Sequence, residues 1–158
     1  SARILALAAA RPEESGNLAA LAGCVVELRA GSGPAELLLR RETRGLPAPE
    51  PVASTIRRGW DGRFDLAVSS APTPLILAPL GEEGWIEIVR AQPALRDCPI
   101  PRPVRAVLPA LSDAQGVARV PHLGYNRPGT EAWLMAVEAV FRPRRPLASP
   151  GFFVAPVA

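Results

Sequence analysis

Residues 60–64 read Trp-Asp-Gly-Arg-Phe, WDGRF, set between ASTIRR (53–58) and DLAVSS (65–70). Asp-Gly is a tight-turn pair, because both residues tolerate a positive φ that most side chains resist. The stretch therefore predicts a turn that opens a strand, with Trp60 and Phe64 on either side of it. Arg63 is then placed to stack on Trp60 or to pair with an acid. The strand that follows, RFDLAVSS (63–70), and the next apolar run, PLILAPL (74–80), are separated by Ala71-Pro72-Thr73-Pro74, where proline limits pairing to an edge or an end.

Upstream, CVVELRA (24–30) and AELLLRRE (35–42) flank Gly31-Ser32-Gly33-Pro34 and predict a hairpin. NLAALAGC (17–24) has the alanine and leucine content of one or two helical turns ending at Gly23. GLPAPEPVAS (45–54) reads as a proline-rich surface loop with no periodic core residues. Downstream, GEEGWIEIVRAQ (81–92) puts Trp85, Ile88 and Val89 on one face and Glu82, Glu83 and Glu87 elsewhere, a short amphipathic helix. Five prolines between 93 and 109 break regular structure, although PRPVRAVLP (101–109) suits a single helical turn opened by proline. GVARVPHLGYN (116–126) predicts a strand bent at Pro121. EAWLMAVEAVFR (131–142) predicts a strand from the alternation Trp133, Met135, Val137, Ala139, Phe141. These elements define a β-rich α+β fold, a sheet or partial barrel with short helices and proline-rich connections.

A length of 158 residues fits one domain, or one with a small appendage, and 48% hydrophobic with 21% charged residues excludes a disordered chain. Nineteen prolines exclude long helices. ILALAAA (4–10) is far shorter than the roughly 20 residues of a membrane helix, so neither a span nor a secretion signal is expected. With Leu7 and Ala8 it reads as the tail of a helix that stops at Arg11-Pro12 and whose upstream body is missing. Cys24 and Cys98 stand 74 positions apart with no Cys/His neighbour, which signals neither zinc nor a disulfide framework; two reduced, mostly buried thiols in a cytoplasmic protein are expected.

Acid–base or nucleophilic chemistry has few candidates. His122 is the only histidine and lies beside Pro121 in a predicted strand, a structural position. Glu13-Glu14 and Glu82-Glu83 sit at helix starts, where carboxylates complement the dipole. AGSGPA (30–35) lacks the lysine and following helix of a phosphate loop, so a hairpin turn explains it better. With no nucleophile–base pair to nominate, an independent hydrolase is disfavoured, and no catalytic, cofactor or metal residue is assigned.

The basic residues remain. All 18 are arginine, a bias that a GC-rich genome explains without selection for a chemistry. Their distribution is uneven: residues 40–63 hold six arginines against three acids, and 90–145 hold nine against four. Arg40, Arg41, Arg57, Arg58 and Arg63, with Arg142, Arg144 and Arg145, form two clusters able to meet a phosphate backbone. The plainer reading makes them a solvated face with internal pairs to Glu42 and Asp61. Tyr125 is the one tyrosine and most Trp and Phe are expected in the core, which favours contact with a duplex backbone over base stacking.

Taken in order, LAALAGCVVELR (18–29), LLLRRE (37–42), WDGRF (60–64), PLGEEGW (79–85), LPAL (108–111) and VPHLGY (120–125) resemble the C-terminal region of bacterial tRNA(Ile)-lysidine synthetases, especially the alphaproteobacterial type once described as cell-cycle proteins. The resemblance spans most of residues 17–145. It implies a tail of a linker helix over 1–16, an accessory domain over 17–145 and a C-terminal tail over 146–158. In that family an ATP-pyrophosphatase domain with an SGGxDS loop adenylates the wobble cytidine of a CAU-anticodon isoleucine tRNA, and lysine displaces AMP. The SGGxDS loop does not occur here, so no catalytic residue carries over, and the ATP and magnesium of the full-length enzyme are implied for another domain. What the resemblance implies for this region is gripping tRNA(Ile) beside its own catalytic domain. The alternative is a structural or oligomerisation module that packs on that domain or forms a homodimer. The two part on whether the arginines share an open face or are neutralised by acids.

Overall fold

In the computed structural model, residues 16–21, 23–29, 36–52, 55–69, 74–130 and 137–142 are described. In chain order they form β1 (Gly16–Leu21), β2 (Cys24–Arg29), β3 (Glu36–Arg41), β4 (Glu50–Val52), β5 (Ile56–Trp60), β6 (Phe64–Val68), β7 (Leu75–Pro79) and helix α1 (Gly81–Ala91). A 3-10 turn (Pro93–Asp97), a single helical turn α2 (Arg102–Arg105), β8 (Pro109–Asp113), β9 (Gly116–Val120), a second 3-10 turn (Pro121–Leu123), β10 (Tyr125–Asn126) and β11 (Val137–Phe141) follow. The described strands lie in three open antiparallel sheets and none closes into a barrel, a β-rich α+β fold. Among the described residues no helix is long and apolar enough to cross a membrane.

The chain divides into two compact units. The first comprises residues 1–46 and 99–107 and holds the sheet β1-β2-β3 with α2 against β3. The hairpin expected of β2 and β3 is present, in a register that sets Glu27 opposite Leu38 and Val25 opposite Arg40. NLAALAG, expected as helix, is instead strand β1, paired with β2 from Gly16 to Leu21. Helix propensity spans only tenths of a kcal/mol per residue for Ala, Leu and Asn, and a ladder of hydrogen bonds to an adjacent strand outweighs it. The reversal falls at Gly23, whose φ of +78° suits glycine.

The second unit comprises residues 47–98 and 108–158. One of its sheets has the order β10-β9-β8-β7-β4 and the other the order β11-β6-β5. In β6 the period of two is complete: Phe64, Leu66 and Val68 are buried, and Asp65 and Ala67 face out. Trp60 stands opposite Phe64 across β5, and Val137 opposite Val68 across β11. The proline-rich loop is not devoid of core, because Val52 is buried and Glu50–Val52 pairs with β7 as a short edge strand. Pro51 is tolerated there because an edge strand leaves one row of N–H groups unpaired. The bend at 71–73 and the proposed N-terminal helix tail lie outside the described residues. Helix α1 occupies 81–91 as the pattern predicts, burying Gly84 and Ile88, and α2 begins with proline in its first turn. The strand GVARV does bend at Pro121, where a 3-10 turn and Gly124 at φ +63° redirect the chain into β10.

Candidate nucleic-acid interface

WDGRF is the connection between β5 and β6. Asp61 and Gly62 both have positive φ, +50° and +66°, as a type I′ hairpin turn requires, and the Arg63 N–H donates to the Trp60 carbonyl at 3.1 Å. Trp60 and Phe64 are buried with ring centroids 6.0 Å apart. Of the two partners expected for it, Arg63 takes the acid. Its Nε donates to Asp61 Oδ2 at 2.7 Å, and its guanidinium lies 4.8 Å from the centroid of the Phe64 ring. The turn brings Asp61 and Arg63 to the same side, so the ion pair forms locally.

The other candidate arginines fare differently. Arg40 is partly buried and its Nε donates to Glu27 Oε2 at 3.1 Å, while Arg29 holds the other oxygen at 3.0 Å. Hydrogen bonds from Arg40 and then Arg29 hold the Glu27 carboxyl below its ordinary range. Arg41 serves the backbone: it donates to the carbonyls of Gly23, Glu42, Arg44 and Gly45 and closes the loop after β3. Arg58 pairs with Glu50. Arg142 reaches Asp65 at 3.5 Å with its side chain 73% exposed, a pair of small energetic consequence. Arg57 is exposed and has no acidic partner among the described residues. Arg144 and Arg145 lie outside the described residues. Among the described residues Glu42, one of the two acids expected to neutralise the cluster, has no arginine side-chain pair, whereas Asp61 does.

Within the second unit, Arg57 and Arg142 share one surface. The register of β11-β6-β5 lines Arg57, Ala67 and Glu138 across one outward row, and Gly59, Asp65 and Val140 across the next. Two shallow depressions run along this face, one of about 600 Å³ lined by Arg57, Ala67, Ser69 and Glu138 among others, the second reaching Asp65, Val140 and Arg142. Two cations and two carboxylates therefore border a floor of small residues, an open and nearly neutral face.

On the opposite side of this sheet the aromatic residues cluster. His122 meets the Phe64 ring edge-on at 4.8 Å, and Phe141 meets it at 5.5 Å. Burial, and then the Arg63 charge, push the His122 imidazole below its ordinary pKa, and its Nδ1 is buried with no hydrogen-bond partner. This is the environment of a packed, neutral histidine. A second, half-buried polar constellation was not visible in the sequence. Arg127 makes a two-point contact with Asp113, including Nη1 to Oδ1 at 2.8 Å, which holds the Asp113 carboxyl below its ordinary range. Glu87 accepts the Val117 N–H at 2.6 Å and ties α1 to β9. Arg119 has no carboxylate partner among the described residues and donates to the Val137 carbonyl at 3.1 and 3.2 Å and to Asn126, tying the five-stranded sheet to β11.

The cysteines depart from expectation: Cys24 is exposed and Cys98 half-buried. Cys24 opens β2 directly after the Gly23 reversal, at the end of a three-stranded sheet, which leaves its side chain uncovered. Among the described residues no group of three or more His, Cys, Asp or Glu is placed to hold a metal ion. No family model, curated protein or solved structure matches the chain.

Proposed function

We propose that this chain is the C-terminal, non-catalytic part of a tRNA(Ile)-lysidine synthetase and helps hold tRNA(Ile) for a catalytic domain that carries the ATP and magnesium chemistry. The observation that supports it is the role of the shared stretches. WDGRF is a hairpin turn, PLGEEGW the passage from β7 into α1, LPAL the start of β8 and VPHLGY the corner between β9 and β10. The resemblance is thus carried by residues that build an architecture, and an accessory domain shares its architecture with its relatives without sharing catalytic groups.

The phosphate-binding role rests on fewer arginines than the charge count suggests. Arg57 and Arg142 remain open on one face, whereas Arg40, Arg58 and Arg63 are held by acids and Arg41 by carbonyls. Titration of the chain with an isoleucine tRNA transcript at two salt concentrations is expected to show binding that weakens steeply with salt. The Arg57→Gln/Arg142→Gln variant should flatten the slope of log K against log salt by about two, one per lost phosphate contact. Absence of binding by the folded chain at low salt would overturn the RNA role. It would favour the second reading, a module that packs on its catalytic domain or a second subunit, which the acid-paired arginines support; sedimentation of the chain alone and with that domain distinguishes the two.

A further inference from the structure

Most sheet edges among the described residues are blunted against pairing with another strand. Strand β4 has three residues and a proline, β10 has two residues, β1 carries a bulge between Asn17 and Ala19, and β5 holds two arginines and a glycine. In β11 the Val137 carbonyl is taken by Arg119. Strand β3 has none of these devices: it runs six residues, Glu36–Arg41, without proline and in unbroken register with β2. Its Leu37 and Leu39 are 47% and 55% exposed. On the same face of the sheet Leu28, in the central strand, is buried and Val26 half-buried, so along this part of the face the exposure belongs to the edge. A strand beside β3 covers such residues better than a layer above the sheet does.

The backbone of β3 is arranged for such a neighbour. The Glu42 N–H donates to the Gly23 carbonyl at 2.8 Å, and an antiparallel ladder alternates. Leu38 and Arg40 therefore turn their N–H and C=O groups toward β2, while Leu37, Leu39 and Arg41 turn theirs to the open side.

The sequence of the strand selects the occupant, because Glu36-Leu37-Leu38-Leu39-Arg40 is complementary to itself when read antiparallel. A two-fold axis through Leu38, normal to the sheet, sets Leu37 beside Leu39 of a second copy and repeats the match at Leu39. Leu37 and Leu39 are also the residues whose backbone groups point outward, so each such pair exchanges both N–H···O bonds. Glu36 then stands opposite Arg40 of the second copy. That arginine stays on its own Glu27, so opposite charge flanks the leucines without a cation being released. Neighbouring registers lose this match: an axis at Leu39 opposes Leu37 to Arg41 and Glu36 to Glu42, and an axis at Arg40 opposes that arginine to itself.

We propose that β3 pairs antiparallel with β3 of a second copy of this chain, joining two three-stranded sheets into one continuous sheet about a two-fold axis at Leu38. The contact uses the first unit alone and does not rest on the RNA reading, whose Arg57 and Arg142 belong to the second.

Sedimentation equilibrium of the chain is expected to show a reversible dimer with a Kd in the micromolar range, as suits a small interface. Leu37→Lys/Leu39→Lys changes only exposed positions and should weaken the dimer at least about tenfold, circular dichroism confirming the fold. Arg57→Gln/Arg142→Gln should leave the dimer unchanged. The register has its own readout in a Cys24→Ser background. Residues on the axis form a non-hydrogen-bonded pair with Cα atoms about 4.5 Å apart, so Leu38→Cys should close a disulfide between copies under mild oxidation. Leu37→Cys, offset from its own copy, should not. A wild-type chain still monomeric at about 100 µM, a dimer that survives the lysine pair, or cross-linking through Leu37→Cys as readily as through Leu38→Cys would overturn the pairing. None of these outcomes bears on the salt-dependent tRNA titration, which tests the RNA reading separately.

Discussion

At the scale of single residues, the hairpin turn shows how a conformation and a packing requirement meet in five positions. Gly62 has φ +66° and open space where a Cβ would project, so a side chain there is opposed by backbone conformation alone. Gly62→Ala is accordingly expected to cost about 1 kcal/mol, and Gly62→Asn less, because asparagine tolerates the left-handed region. Two positions on, Phe64 is 3% exposed and touches Trp60, His122 and Phe141, so Phe64→Ala leaves a cavity and should cost about 3–5 kcal/mol. Urea unfolding followed by tryptophan fluorescence checks both, the midpoint shifting while the slope stays fixed. Equal losses at the two positions would contradict this division between strain and cavity. The arginines teach the complementary lesson at this scale. Their positions are plain in the sequence but their partners are not, because Glu27 meets Arg40 and Asp65 meets Arg142 only through strand register.

Elements differ in how openly the sequence declares them. The β2–β3 hairpin, α1, α2 and the bend at Pro121 follow from turn residues, period and proline placement, each a local cause. Strand β1 does not: its residues favour helix locally, and only pairing with β2 makes it extended. Strand β4 hides in a proline-rich stretch because an edge strand of three residues needs little pattern. The interface between α1 and β9 was equally hidden, since Glu87 reads as a solvated helix residue until it is found accepting the Val117 N–H. Gly116 makes that contact possible. With φ +110°, a Cβ added to it would lie 2.3 Å from Glu87 Oε1, so Gly116→Ala must displace the carboxylate as well as strain the backbone. The expected loss is about 2–3 kcal/mol, conformational strain plus an orphaned N–H. In a Glu87→Ala background the hydrogen bond is already gone, and Gly116→Ala should then cost about 1 kcal/mol less. A double-mutant cycle by thermal or urea unfolding reads the difference, and strict additivity would show that Glu87 and Gly116 are not coupled.

Across the whole molecule, the two units carry different titrating groups, and this makes their pH responses separable. Glu27 in the first and Asp113 in the second are both depressed by arginine hydrogen bonds. The folded forms of both therefore hold their protons less tightly than the unfolded chain. The stability they contribute is complete above the ordinary carboxylate range, about pH 4, and is lost as pH falls through the depressed values. His122 belongs to the second unit alone and is depressed chiefly by burial. Below about pH 6.5 the unfolded chain takes up a proton that the folded imidazole refuses, so the second unit loses stability as pH falls from there toward the folded value, and nothing more below it. All three tryptophans, Trp60, Trp85 and Trp133, fall within the second unit, so their fluorescence reports that unit while far-ultraviolet circular dichroism reports both. Between pH 7.5 and 5.5 the fluorescence-detected melting temperature should drop, and His122→Gln should abolish most of that drop whatever its effect on absolute stability. A wild-type fluorescence midpoint independent of pH in this window would mean that His122 titrates alike in the folded and unfolded chain, and that its packing against Phe64 does not exclude the charged form.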